Sequence, residues 1–147
     1  MSYVVIGGIA ATLQGSTTIT RDFDICYSRE DANLERLASA LRQLEAKLRG
    51  VQEDAPFQLD ARTLRNGLNF TFKTMHGDFD CLGDPGGGLD YRLLLRGADE
   101  MDVGRLRVMV ASLDDLIRMK RAAGRIKDRI EVENLSALRE VREGKNP

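Results

Sequence analysis

The chain holds little cysteine, a single histidine, almost no net charge and no long apolar run. Cys26 and Cys81 are its only cysteines and have no CxxC spacing, and His76 sits beside a glycine in a turn-like stretch, which argues against a zinc site. Both cysteines lie in apolar, strand-like runs and read as buried, reduced thiols. Lys and Arg number 22 against 23 Asp and Glu, so bulk charge does not announce nucleic acid or a membrane surface. No apolar run approaches the roughly 20 residues of a membrane span. "YVVIGGIAA" lacks a basic leader, which argues against a signal peptide and makes a cytoplasmic location the expectation. Repeats and low-complexity tracts are absent. What is present, 31% charged and 42% hydrophobic residues over 147 positions, is the composition of one globular domain with a single core.

The local patterns alternate in type. Tyr3–Ile6 is β-branched and followed by glycine, a buried strand; Ile9–Gln14 reads as a short helix closed by Gly15. Phe23–Tyr27 is a second strand. Ser28 with Asp31 reads as the cap of a long helix reaching Gly50, with Leu34, Leu37, Leu41, Leu44 and Leu48 as one apolar stripe. Residues 51–68 read as a loop with one helical turn. "NFTFKT" and "DFDCL" flank "MHG" as a hairpin. "GDPGGG" is a flexible connection, since no Lys-Ser/Thr follows it as a phosphate loop requires. A short helix over 91–96, a strand at "LRVMVA", a helix capped by Ser112 and Asp115 and running to Ala123, and a last helix over 128–143 complete the chain. That last helix is expected to bury Ile130, Leu135, Leu138 and Val141. The order predicts an α/β or α+β fold with a small mixed sheet flanked by helices. Arg105, Arg107, Arg118, Lys120, Arg121, Arg125, Lys127 and Arg129 crowd the C-terminal part, and read first as solvated helix faces.

One feature resists a bland reading. Asp22 and Asp24 alternate with Phe23 and Ile25, so a strand places both carboxylates on one face. Two such groups repel unless a cation neutralises them, and hard oxygen ligands suit Mg²⁺. Asp80, also flanked by apolar residues, is a third acid that a neighbouring strand would present beside them; Asp78 is the alternative, although it follows Gly77 as a turn residue does. Three carboxylates suffice for two Mg²⁺ ions, the arrangement used in phosphoryl and nucleotidyl transfer. Gly7 and Gly8 stand at a strand-to-helix junction, where backbone N–H groups meet phosphate.

The glycine pair, the gap of positions 9 to 21 and the Asp-x-Asp between hydrophobic residues resemble the DNA polymerase beta-like nucleotidyltransferase superfamily. The resemblance is closest to its minimal bacterial members and to the abortive-infection (AbiEii-like) toxin nucleotidyltransferases. "TRDFDI", "GDFDCL" and "SLDDLIRMKRAAGRIKD" extend it from residue 3 to about 140. It implies that Gly7 and Gly8 contact an NTP, that Asp22, Asp24 and Asp80 ligate Mg²⁺ (or Mn²⁺ in its place), and that Asp80 helps deprotonate an acceptor hydroxyl. Lys120 would lie near phosphate or acceptor, with Asp128 orienting Lys120 or the substrate. It further implies ATP or another NTP as donor, an RNA, protein or small-molecule acceptor, and a toxin–antitoxin setting with a cognate antitoxin protein. Under it, 1–147 is one domain, with 1–83 as catalytic sheet core and 89–147 as a mixed, helical C-terminal part. Two departures stand out: many members have Gly-Ser where this chain has Gly7-Gly8, and members usually carry a helix before the first strand.

Plainer readings remain for each residue. Asp22 and Asp24 would serve as anti-aggregation charges if their strand lay at a sheet edge. The glycines suit a tight turn, Thr20 caps the strand or touches phosphate, Lys120 suits a solvated helix face, and Asp128 suits a helix cap. A catalytically inactive nucleotide- or partner-binding module on the same fold is the main rival to an enzyme, with a purely structural interaction protein behind it.

Overall fold

The computed structural model describes residues 1–52 and 56–144. Its elements are β1 (Tyr3–Ile6), α1 (Gly7–Leu13), β2 (Phe23–Tyr27), α2 (Asp31–Gln43), β3 (Lys47–Leu48), α3 (Ala61–Asn66), β4 (Asn69–Thr74), β5 (Gly77–Leu82), α4 (Tyr91–Gly97), β6 (Asp99–Val103), β7 (Leu106–Val110), α5 (Leu113–Ala123) and α6 (Ile126–Arg142). The strands form one seven-stranded mixed sheet in the order β3-β4-β5-β2-β1-β7-β6. β2 runs parallel to β5 and β1 parallel to β7, while the other neighbours are antiparallel. The expected mixed sheet with flanking helices is therefore present, and β6 and β7 from the C-terminal part belong to it.

Two apolar layers cover the sheet. One packs β1 and β7 against α1, α4, α5 and α6 through Val4, Ala10, Leu94, Val110, Ile117 and Leu135. The other packs β2, β4 and β5 against α2 and α3 through Ile25, Tyr27, Leu34, Leu37, Leu41, Leu64 and Phe72. Alternation explains why β2 serves both: Ile25 and Tyr27 enter one layer and Cys26 the other, as a central strand requires. Each fully buried leucine of α2 contributes about 2 kcal/mol. Both cysteines are buried and free, and His76 is exposed in the turn of the β4–β5 hairpin. No helix among the described residues is long and apolar enough to cross a membrane.

The structure corrects several local expectations. Ser28 is not the cap of α2: its N–H still pairs with the carbonyl of Ser2, and the helix begins after Glu30. The leucine stripe overreaches too. α2 ends at Gln43, Glu45 turns the chain with φ of 53°, and Leu48 reaches the second layer from edge strand β3 rather than from a helix. The helical turn expected in 51–68 is α3, and residues 53–55 of that loop lie outside the described residues. Of the four apolar residues expected to be buried in α6, only Leu135 is fully buried; Ile130 and Val141 are mostly exposed. The cap at Ser112 is as expected, its hydroxyl accepting from the Asp115 N–H at 3.1 Å.

Gln14 locks the C-terminal helix to the sheet. Fully buried, it donates from Nε2 to Asp99 Oδ2 and to the Ala111 carbonyl, both at 2.9 Å, while Arg142 donates to its Oε1 at 2.6 Å and to its carbonyl. Gln14→Ala orphans the buried Ala111 carbonyl and removes the side-chain acceptor of Arg142, which keeps its bond to the residue-14 carbonyl, so a loss of about 1–3 kcal/mol is expected in urea denaturation. An unchanged midpoint would remove this lock from the stability of the fold.

Candidate active site

Asp24 stands on the central strand β2, so it is not a charge guarding a sheet edge; the anti-aggregation reading of this residue fails on strand order. Its register partners are Ile6 on β1 and Asp80 on β5. Asp22 lies two residues earlier on the same chain face, just before the strand begins. Asp78 lies two residues before Asp80, opposite Lys73 and close to the hairpin turn. The sheet thus puts Asp80, not Asp78, directly beside Asp24.

The glycines fit around these side chains. Gly7 has φ of 69°, and a Cβ there would stand 2.2 Å from Asp24 Oδ2. A Cβ on Gly8 would meet Thr20 Cγ2 at 2.7 Å. The backbone at the start of α1 therefore lies directly against the Asp24 carboxylate and the Thr20 side chain, an approach open only to glycine. Thr20 Oγ1 accepts from the Asp22 N–H at 3.3 Å and so holds the approach to β2.

Asp24 is the perturbed group of the cluster. Burial pushes its carboxyl up to about 6 from an ordinary 3.8, the negative charges of Asp80 and Asp22 add to the rise, and Lys120 and Arg49 oppose it. Its Oδ1 is buried without a hydrogen-bond partner. Natural proteins seldom leave a buried carboxylate oxygen unpaired, so this atom is open to a water, a proton or a cation.

Lys120, from α5, reaches Asp128 at the start of α6, with Nζ 3.5 Å from Oδ1. Asp128 is fully buried and takes three further hydrogen bonds from the Arg125 backbone and guanidinium, at 3.1, 2.6 and 3.2 Å. Those bonds, the side-chain ones foremost, hold its carboxyl below the usual range. Asp128 thus both caps α6 and fixes Lys120, whose charge acts on Asp24. Of the other C-terminal cations, Arg107 pairs with Asp102 and Glu100 across the β6–β7 hairpin and Arg125 with Asp128.

Arg49 was not among the residues singled out from sequence. It follows β3, its N–H donating to the Thr71 carbonyl at 2.9 Å, and its side chain crosses β4 to the acids. Nη1 lies 2.7 Å from Asp80 Oδ1 and 3.7 Å from Asp78 Oδ2, and Nη2 lies 3.5 Å from Asp80 Oδ2. Lys47, Leu48 and Arg49 do alternate as a strand would, but three residues cannot outweigh a five-leucine helical stripe.

The donors at this site suit a hard dication. All are carboxylate oxygens, and Asp24 Oδ1 is a buried acceptor lacking a partner. Among the described residues no three His, Cys, Asp or Glu side chains form a ready metal-ligand group; Asp80 is engaged by Arg49.

The chain thus carries Asp24 on the central strand of a mixed sheet, beside a glycine-led helix. No protein-family model matches it, and no curated protein does. Among solved structures it is similar to the lincosamide antibiotic adenylyltransferase LnuA in its lincomycin-bound form. The TM-score is 0.59 and the identity 15%, over 93% of this chain and 87% of that one. The likeness is one of fold alone, similar to that of a nucleotidyltransferase, and does not reach the narrower abortive-infection branch.

Proposed function

We propose that the protein is a Mg²⁺-dependent nucleotidyltransferase, moving a nucleoside monophosphate from an NTP to an acceptor hydroxyl and releasing pyrophosphate. The observation that carries the reading is Asp24: in register with Asp80, flanked by Asp22, pressed against Gly7 and left with a buried unpaired oxygen. Bound by these acids, Mg²⁺ would neutralise phosphate charge and make the acceptor hydroxyl more acidic. Asp22, Asp24 and Asp80 would hold it, and Asp80 would receive the acceptor's proton. Gly7 and Gly8 would offer N–H groups to the triphosphate, since the first N–H groups of a helix have no partner within it. Thr20 would add a hydroxyl there. Lys120, held by Asp128, would offset negative charge on phosphate as the bond to pyrophosphate breaks.

The neighbour is an antibiotic adenylyltransferase solved with lincomycin, which supports ATP as donor and a small-molecule acceptor. RNA or a protein hydroxyl, with a cognate antitoxin protein as partner, is the alternative acceptor setting from the abortive-infection resemblance. Pyrophosphate release should appear with ATP, Mg²⁺ and a hydroxyl acceptor, and Asp22→Asn and Asp80→Asn should each reduce it by at least about a hundredfold. Full turnover in either variant would reject that residue's assignment. The Arg49–Asp80 pair favours a second reading, a nucleotide- or partner-binding module without chemistry. Calorimetric NTP binding with no pyrophosphate over a panel of acceptors would select it.

A further inference from the structure

We infer that Arg49 is the resident counter-cation of Asp80 and that a dication must displace it, so that this arginine sets how readily the third acid takes metal. The inference rests on the metal reading above and concerns a residue that reading does not use.

The geometry is that of a releasable clamp. Both Asp80 oxygens face the guanidinium, at 2.7 and 3.5 Å, and Asp78 adds a weaker contact at 3.7 Å. The backbone of Arg49 is fixed by its N–H bond to Thr71, and Nη1 also donates to the Phe72 carbonyl at 3.1 Å. Yet the Arg49 side chain is one-third exposed and that of Asp80 nearly one-quarter. A pair this open to water is weak, and the guanidinium can turn outward without leaving a buried charge. Asp24 differs. Its Oδ1 has no partner, so a dication entering the cluster meets Asp22 and Asp24, neither ion-paired among the described residues, and one already neutralised acid, Asp80. Without Arg49, Asp78 and Asp80 would add their charge undiminished to that of Asp22 and Asp24, and the metal-free cluster would be more repulsive. Arg49 therefore stabilises the empty cluster and competes with the ion that fills it. Lysine would not reproduce this, since its single nitrogen lacks the planar fork with which Nη1 and Nη2 face the two carboxylate oxygens.

The test uses the full chain. Calorimetric Mn²⁺ titration is expected to give roughly two- to fivefold tighter binding in Arg49→Gln than in the wild type, the free-energy range of an exposed ion pair. Thermal unfolding of the metal-free variant checks that it is folded. Independently, in the wild type, the Arg49 Nε–H resonance, assigned by through-bond correlation to the Arg49 backbone, should shift and exchange faster with water as Mg²⁺ is added. Unchanged or weaker Mn²⁺ binding in a folded Arg49→Gln overturns the inference, and so does an Arg49 resonance indifferent to saturating Mg²⁺. If Arg49→Gln does not fold, the resonance experiment alone decides. Wild-type binding with no response at Arg49 sinks only this inference. No binding in either protein sinks the metal reading with it.

Discussion

Asp24→Asn is expected to abolish Mg²⁺-dependent pyrophosphate release, a loss of at least about a hundredfold, while making the metal-free protein more stable at neutral pH. The opposite signs follow from one cause. Burial, with Asp80 and Asp22 as neighbours, raises the Asp24 carboxyl from 3.8 to about 6. A raised acid holds its proton more tightly in the folded chain than in the unfolded one. Its contribution to stability is therefore complete below pH about 4, falls between pH 4 and 6 and is gone above 6. The shift corresponds to at most about 3 kcal/mol, and partial solvent contact reduces this to about 1–2 kcal/mol. Asparagine keeps the shape and removes the charge. With a chelator present, urea denaturation should show the variant more stable than wild type at pH 7.5 and equal to it at pH 4. A gain of the same size at both pH values would mean that the charge of Asp24 is not what strains the site. Undiminished turnover would mean that it is not catalytic.

Gly7→Ala should cost about 2–4 kcal/mol and remove nucleotide binding along with it. Two penalties add. An L-residue at φ of 69° is strained by about 1 kcal/mol or more, and its Cβ would lie 2.2 Å from the Asp24 carboxylate. The carboxylate can rotate, but the Asp24 Cβ, 3.1 Å from the added atom, is held by the ladder between β1 and β5. Gly8→Ala makes the useful comparison. Its obstacle is Thr20, on the irregular segment between α1 and β2, which can yield. The loss there should be smaller. Thermal unfolding and NTP titration of the two variants side by side would check the ranking, and equal losses would show that the contact with Asp24 is not what forbids a side chain at Gly7.

Legibility of the site followed the range of the interactions. The hairpin β4–β5 was readable because six-residue runs and a glycine turn specify it locally. The cap at Ser112 was readable for the same reason, with donor and acceptor three residues apart. Failures came where a local pattern was overruled from a distance. Leu44 and Leu48 continue the spacing of α2, yet Leu48 gains more by joining the sheet edge beside Phe72. Asp99–Val103 is too polar to read as a strand, and becomes one by pairing with β7.

Period-two alternation alone fixed that Asp22 and Asp24 share a face, and the glycines alone marked a place where backbone must come close to something. Which strand would lie beside β2, and that Asp80 rather than Asp78 would stand opposite Asp24, was decided by tertiary pairing across more than fifty residues. The approach of Arg49 to Asp80 was decided there too. Side-chain direction within a strand is set by neighbouring peptide units. Strand order and register instead minimise the free energy of two apolar layers spread over the whole chain, and no short window of residues contains that balance.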